Sequence, residues 1–222
     1  MNMRHRFTIS DKVDQLRIEQ ELARCTSLRS ISASMLSMAG ANQSGERVWF
    51  VLQTFANKEK AVENTLRAAG VLAYLPFIPG GKKVRRGRVA HCADRPALPG
   101  YIMVSFVPSP AAIAGLLRVK FVDDFVGGAE KPHRIRDETM NRFKVLLGEW
   151  SDVKAHAEAF AAGDWVRFDE GPFVGYSGHI SRIRKMVLVR GMRPVGVEGV
   201  VEVEINGKRS SITTPLALLV KM

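Results

Sequence analysis

Val48-Trp49-Phe50-Val51-Leu52-Gln53-Thr54, read together with the run from Lys58 to Gly70 that follows it, decides the fold. The first stretch is rich in β-branched and aromatic residues, which predicts a strand. The second places Ala61, Val62, Thr65, Leu66 and Ala69 on one face of a helix, and Gly70 supplies the usual stop. Working outward, Val71 to Phe77 reads as a second strand and Tyr101 to Val107 as a third. Ser109-Pro110 opens a short helix, with serine as cap and proline at its first position. Phe121 to Val126 makes a fourth strand. Asp137 starts a last helix to Trp150, on which Met140, Phe143, Val145, Leu146 and Leu147 form a broad apolar stripe. Strands and helices in this order over residues 46 to 150 predict an α+β chain whose first domain is an α/β sandwich with a mixed sheet.

On either side the texture changes. Residues 1 to 45 show weak helical spacing and then a serine-bearing stretch, and are expected to be a mostly disordered extension. Residues 151 to 162 read as a linker. From Gly163 onward, short β-rich runs (Asp164 to Phe168, Gly178 to Ile183, Met186 to Val189, Val200 to Ile205, Ser210 to Thr213) alternate with glycine-bearing turns, the pattern of a small β-barrel over 163 to 222. Gly171 and Gly178 are expected where this chain turns sharply. Trp165 and Phe173 read as core or rim of the barrel.

The net charge of +11 is concentrated. Residues 82 to 95 carry Lys82, Lys83, Arg85, Arg86, Arg88 and Arg95 against Asp94, and residues 182 to 193 carry Arg182, Arg184, Lys185, Arg190 and Arg193 against no acid. Each segment is thus +5, and a polyanion is the partner that best rewards such concentration. Two solvated hairpin tips are the competing reading.

Chemistry is excluded more firmly than binding. The histidines, His5, His91, His133, His156 and His179, are scattered, and none pairs with a cysteine or carboxylate at ligand or triad spacing. No glycine loop cradles phosphate. The chain therefore reads as a non-enzyme with no metal and no cofactor. Cys25 and Cys92 lie far apart, which fits free thiols in a reducing cytoplasm. No apolar run approaches the length of a membrane span, so no membrane partner is expected, and the chain is read as a monomer.

Four segments, in order, resemble one family. Arg47 to Thr54 with Glu59 is similar to the opening strand and helix of NusG amino-terminal (NGN) domains. Pro96-Ala97-Leu98-Pro99-Gly100-Tyr101-Ile102-Met103-Val104 resembles their Pro-Gly-Tyr strand. Asp124-Phe125-Val126-Gly127-Gly128, with Pro132 and Ile135, is similar to their fourth strand and turn. Gly163-Asp164-Trp165-Val166-Arg167-Phe168, leading into Gly171-Pro172-Phe173 and Gly178, resembles the KOW motif of the SH3-like carboxy-terminal barrel. The resemblance implies a transcription elongation factor, in narrower form an RfaH-like specialised paralogue, that modulates pausing, termination or antitermination.

It also implies partners. RNA polymerase would offer its clamp helices to Leu98, Tyr101, Met103 and Phe125, with Phe50 and Phe77 nearby. Met103 and Phe125 read equally well as sheet core, whereas the hydroxyl of Tyr101 suits a half-wet rim. DNA or nascent RNA would meet Lys82, Lys83, Arg85, Arg86 and Arg88, and Arg182, Arg184 and Lys185 of the barrel. At the turn where the family usually holds a phenylalanine for Rho or a small-subunit ribosomal protein, this chain has Asn206, which weakens the expectation of either partner. An RNA-binding, ribosome-associated KOW protein is the alternative function. The Trp49 and Tyr101 strands count against it, because such a protein has no need of that domain.

Overall fold

The computed structural model describes residues 12–40, 42–78, 82–85, 88–91, 93–148, 160–186 and 196–222. The expected strand and helix pair stands at the centre. β1 (Val48–Thr54) is followed by α2 (Glu59–Ala68), and the alternation of β1 sorts its side chains to two faces. Phe50 and Leu52 join Ile102, Val104 and Phe106 of β7 (Tyr101–Phe106) and Phe125 of β8 (Val122–Phe125) in a core against α2 and α3 (Pro110–Leu117). Trp49 and Val51 join Tyr101 and Met103 on the other face, against α4 (Asp137–Gly148).

The sheet runs β2 (Leu72–Tyr74), β7, β1, β8, with β9 (Arg134–Ile135) also paired to β1. Where a mixed sheet was expected, every pairing is antiparallel. The reason is strand order: β2, which follows α2, runs in the direction of β1 but is separated from it by β7, and β8, which follows α3, runs in the direction of β7 but is separated from it by β1, so no two parallel strands are neighbours. The expected Val71–Phe77 strand is split, because Pro76 cannot donate to a ladder. Its second part, β3 (Phe77–Ile78), leaves the sheet to pair with β6 (Arg95–Pro96). Between them β4 (Lys82–Arg85) and β5 (Arg88–His91) form a hairpin.

The extension differs most from its reading. Residues 12 to 37 form helix α1 (Lys12–Ser37), not disorder. The stretch has no glycine or proline, and the hydroxyls of Thr26 and Ser32 bond back to the helix carbonyls of Leu22 and Leu28. Its end docks on α3. Ala39 is buried, and Gly115 lets the two backbones approach so closely that a Cβ there would lie 2.5 Å from the Leu36 amide nitrogen. Upstream, Leu16, Ile18, Leu22, Leu28 and Ile31 point to solvent.

The carboxy-terminal domain is a five-stranded antiparallel sheet in the order β13 (Lys208–Pro215), β12 (Gly196–Ile205), β11 (Ser177–Met186), β10 (Trp165–Phe168), β14 (Leu219–Lys221). Val166, Phe168, Ile180, Val201, Val203, Ile205 and Ile212 alternate into its interior. Asp164 ties the start of the domain to its end: its carboxylate accepts from the Ala161 amide and from Lys221 Nζ, both at 2.8 Å, and these bonds hold its carboxyl below the usual range. Gly163 has a positive φ where none was expected, and Gly171 has the positive φ expected of it. Gly178 does not; it lies inside β11, and its lack of a side chain serves close approach to β12 instead. Residues 151 to 159 of the expected linker, and the expected strand beyond Met186, lie outside the described residues.

Candidate functional site

The turn that delivers β7 is built first. Thr54 N donates to the Gly100 carbonyl at 2.8 Å, and Gly100, at φ +85, turns its own amide to the Glu59 carboxylate at 2.7 Å. A buried carboxylate on α2 thereby fixes the Pro99-Gly100 corner and the strand that carries Tyr101 and Met103. Leu98, just before the corner, is fully buried.

Of the six residues expected to form one apolar docking surface, the structure brings three together. Leu98, Tyr101 and Met103 share one face of the sheet. Phe50 and Phe125 lie on the opposite face, where their rings stand edge to face with centroids 6.2 Å apart, inside the core beneath α2 and α3. The cause is strand parity: Phe50 pairs across from Val104, and both point away from Tyr101. Phe77 lies on neither face; it is half exposed on β3, with Lys60 Nζ 5.2 Å from its ring centre.

The face around Tyr101 is occupied by the barrel. The edge of the Tyr101 ring meets Phe173 at 4.8 Å between centroids, and Phe173 stacks in turn near Phe168 at 5.5 Å. Tyr101 is only 4% exposed, so its rim position holds only without the barrel; in place, burial pushes its hydroxyl up to about 12. Phe173 is neither barrel core alone nor rim but the plug between two domains. Gly171 belongs to the same contact, a Cβ there falling 3.1 Å from Phe143 of α4, and Pro172 beside it is buried.

Polar groups frame the plug. Asn206, at φ +55 in the left-handed region that asparagine tolerates, donates from Nδ2 to the Phe125 carbonyl at 3.2 Å. Glu198, 2% exposed, receives two bonds from the Arg95 guanidinium, Nη1 to Oε2 at 3.0 Å and Nη2 to Oε1. Arg142 reaches Glu170 at 3.5 Å. His133 stands edge to face with Tyr176 at 5.2 Å. The sequence flagged Asn206 as an unusual turn residue but not as a contact to the first domain; Arg95 was read only as one charge of the basic segment and His133 as a lone histidine, and Glu198 and Tyr176 carried no signal.

Burial lowers the pKa of His133 in this interface. Its proton is therefore bound more tightly when the domains separate. Above the ordinary histidine range both arrangements hold it neutral, and below that range the separated one gains a proton that the docked one resists. Acidification from pH 7.5 to 5.5 is expected to raise the undocked fraction, read by energy transfer between dyes on the two domains, and His133→Gln is expected to flatten that response.

Trp165, by contrast, is 59% exposed on the outer barrel face, and Arg182 and Arg184 are exposed along β11. Lys82, Lys83, Arg85 and Arg88 lie on the β4–β5 hairpin and Lys185 on β11, whereas Arg86, Arg190 and Arg193 are outside the described residues. Among the described residues no three His, Cys, Asp or Glu side chains are arranged to hold a metal, and no helix is long and apolar enough to cross a membrane.

The family model for "Transcription termination factor nusG" matches residues 47–144, the stretch that carries β1 through most of α4. The "Transcription termination/antitermination protein NusG" of Borreliella burgdorferi is 30% identical over 156 residues, spanning 62% of this chain and 83% of that protein. The chain belongs to the NusG family. The NusG of Escherichia coli strain K12 is 25% identical over 150 residues, covering 64% of this chain and 83% of its own length. A solved structure described as "Domain interaction in Thermotoga maritima NusG" aligns with 80% of this chain and 98% of that one at 22% identity and a TM-score of 0.39. As a NusG-type transcription factor the protein pairs an NGN domain with a KOW-like barrel, and nothing among these relatives points to the ribosome-associated alternative.

Proposed function

We propose that this NusG-type factor rides on RNA polymerase through the sheet face of Leu98, Tyr101 and Met103, and that the docked barrel is a closed form that polymerase must displace. One observation carries this reading: Tyr101, the residue best suited to receive a helix tip, is covered by Phe173 of the same chain. An apolar face that accepts Phe173 has the chemistry to accept the apolar side chains of a clamp helix, with a few large groups dominating the energy. Only one occupant fits at a time. The apparent affinity for polymerase is therefore the intrinsic affinity scaled by the fraction of open molecules.

The closed form also explains Asn206. The turn that would greet a second partner is engaged with the Phe125 carbonyl, so barrel recruitment and polymerase docking become available in the same opening step. Cytoplasmic action on transcribing polymerase, with suppression or promotion of termination as the outcome, follows from this reading.

Capture on immobilised core RNA polymerase tests it with two substitutions that face each other. Phe173→Ser removes the plug and leaves the docking face intact, so more protein should be retained than of wild type. Tyr101→Asp opens the domains equally but puts a charge on the docking face, and retention should fall at least tenfold. Wild type that is not retained at all, or two variants that move in the same direction, would overturn the proposal.

A further inference from the structure

One face of the barrel sheet stays uncovered in the closed form. Along β10, β11 and β12 the side chains of Val166, Ile180, Val201 and Val203 enter the barrel, so by strand parity those of Trp165, His179, Glu202 and Glu204 leave it. Register sets three of them in one row across the strands, Trp165 opposite His179 and His179 opposite Glu202. The Trp165 and His179 rings stand 6.0 Å apart between centroids, and His179 Nε2 is 3.4 Å from Glu202 Oε2. Together with Tyr176, Glu204 and Arg209 they line an open depression of about 570 Å³. Trp165 is 59% exposed, and Val220 and Met222 of β14 add exposed apolar surface beside it, the Met222 amide donating to the Trp165 carbonyl at 3.0 Å.

The charges of this face say what suits it. On a chain of +11 the local sign is reversed, because Asp164, Asp169, Glu202 and Glu204 outnumber Lys221, Arg167 and Arg209. Lys221 is bonded to Asp164, Arg167 lies 3.6 Å from Asp169, and Arg209 stands opposite Glu204 across the β12–β13 ladder. Among the described residues no lysine or arginine is paired with Glu202, which has an imidazole on one side and Ser211 on the other. A phosphate backbone laid on Trp165 would meet this carboxylate and be repelled. A cation is favoured twice, by the face of the indole and by Glu202. Arginine satisfies both at once: its planar guanidinium stacks on an aromatic ring and still directs in-plane N–H donors to a carboxylate. Glu202 and Glu204, two apart on one strand, also repeat at about 7 Å, the interval at which an extended segment presents alternate side chains to one face.

We infer that this outer face of the barrel is a docking site for an extended, arginine-bearing segment of another protein, with the guanidinium stacked on Trp165 and bonded to Glu202. The indole and the carboxylate supply the anchor, in keeping with the dominance of tryptophan and arginine in interface energetics. Tyr101 and Phe173 take no part, and Trp165 is exposed while Phe173 is in place, so the barrel holds this partner in closed and open forms alike. The inference is independent of polymerase docking, and either can fail without the other.

The test is an NMR titration of the isotope-labelled full chain with the peptide Thr-Val-Arg-Val-Thr. The Trp165 indole signal is identified by its loss in Trp165→Leu, and it should shift with the Glu202 amide signal along one saturation curve. Citrulline in place of arginine keeps the shape and removes the charge, and should weaken binding about tenfold. Lysine, which lacks the planar fork, should weaken it about threefold. Glu202→Gln should weaken the arginine peptide about tenfold, with the remaining signals unmoved as evidence that the fold is intact. Asp123→Asn removes an exposed charge from β8 of the first domain and should leave binding within about twofold, since a distant surface charge is screened. Equal binding of the citrulline and arginine peptides, or equal weakening by Glu202→Gln and Asp123→Asn, would overturn the proposal. Larger shifts of the same signals with a single-stranded RNA pentanucleotide than with the peptide would overturn the assignment to a protein partner.

Discussion

Alanine at Gly178 is expected to cost the barrel about 3 kcal/mol, the upper end of what overpacking a core takes, and to unfold it at temperatures where the first domain persists. A Cβ built there stands 2.1 Å from the Glu202 carbonyl oxygen and 2.9 Å from its carbonyl carbon. Both are backbone atoms inside the β11–β12 ladder, so no side chain can swing away to make room. The ladder must separate or the strand must bulge, and either breaks the register that aims Ile180 and Val201 inward. A domain of this size is stable by only a few kcal/mol, roughly 0.05–0.15 per residue, so the substitution removes much of what it has. Scanning calorimetry should show the barrel transition shifted down by roughly 10–20 °C, with the first domain's transition little changed. A shift below about 3 °C would mean that the strands are not packed as described. With the plug unfolded, polymerase capture should also rise, as is expected for Phe173→Ser.

The second large effect is expected at Arg95. Replacing it by alanine leaves the Glu198 carboxylate buried at 2% exposure without the guanidinium that faces it. Removal of one member of a buried pair costs about 3–5 kcal/mol, because the remaining charge has lost its compensation. Here the chain has a cheaper response than unfolding: it can undock the barrel and let Glu198 meet water. Arg95→Ala should therefore appear first as loss of interdomain energy transfer and only second as a lower melting temperature. The double substitution Arg95→Leu with Glu198→Leu supplies the control. An apolar pair of similar size needs no compensation and should keep the domains together to within about 1 kcal/mol of wild type. Equal opening by the single and double variants would show that packing around Phe173, not the ion pair, sets the closed state.

What could be read in advance follows the range of the interactions involved. β1, α2, β7, α3, β8 and α4 were legible nearly to the residue, because each is specified by its own side-chain periodicity and by local caps such as Ser109, whose hydroxyl accepts from the Ala112 amide. Most of the barrel strands were legible for the same reason, but the closing strand β14 was not read at all, and β11 runs on to Met186 where its strand was expected to end at Ile183. The candidate docking set was legible only in part. Tyr101 and Met103 share a face because they are two apart on one strand, but Phe50 and Phe125 belong to strands whose register places them on the reverse side. Helix α1 was read as disorder because its apolar residues follow no single stripe; its structure depends on a short docked end against Gly115 of α3.

By itself, then, the sequence determined the α/β domain and the β-rich domain, most of their secondary structure, the concentration of positive charge in two segments and the resemblance to the NusG family, since all of these are encoded within short windows. Only the tertiary structure decided that the barrel lies on the face proposed for polymerase, that Asn206 is bonded to Phe125, and that Arg95 of the first domain is paired with Glu198 of the barrel. Those contacts join residues separated by 72 to 103 positions. No periodicity spans such distances; what selects them is the burial of Phe173 against Tyr101 and the requirement that a carboxylate withdrawn from water find a cation.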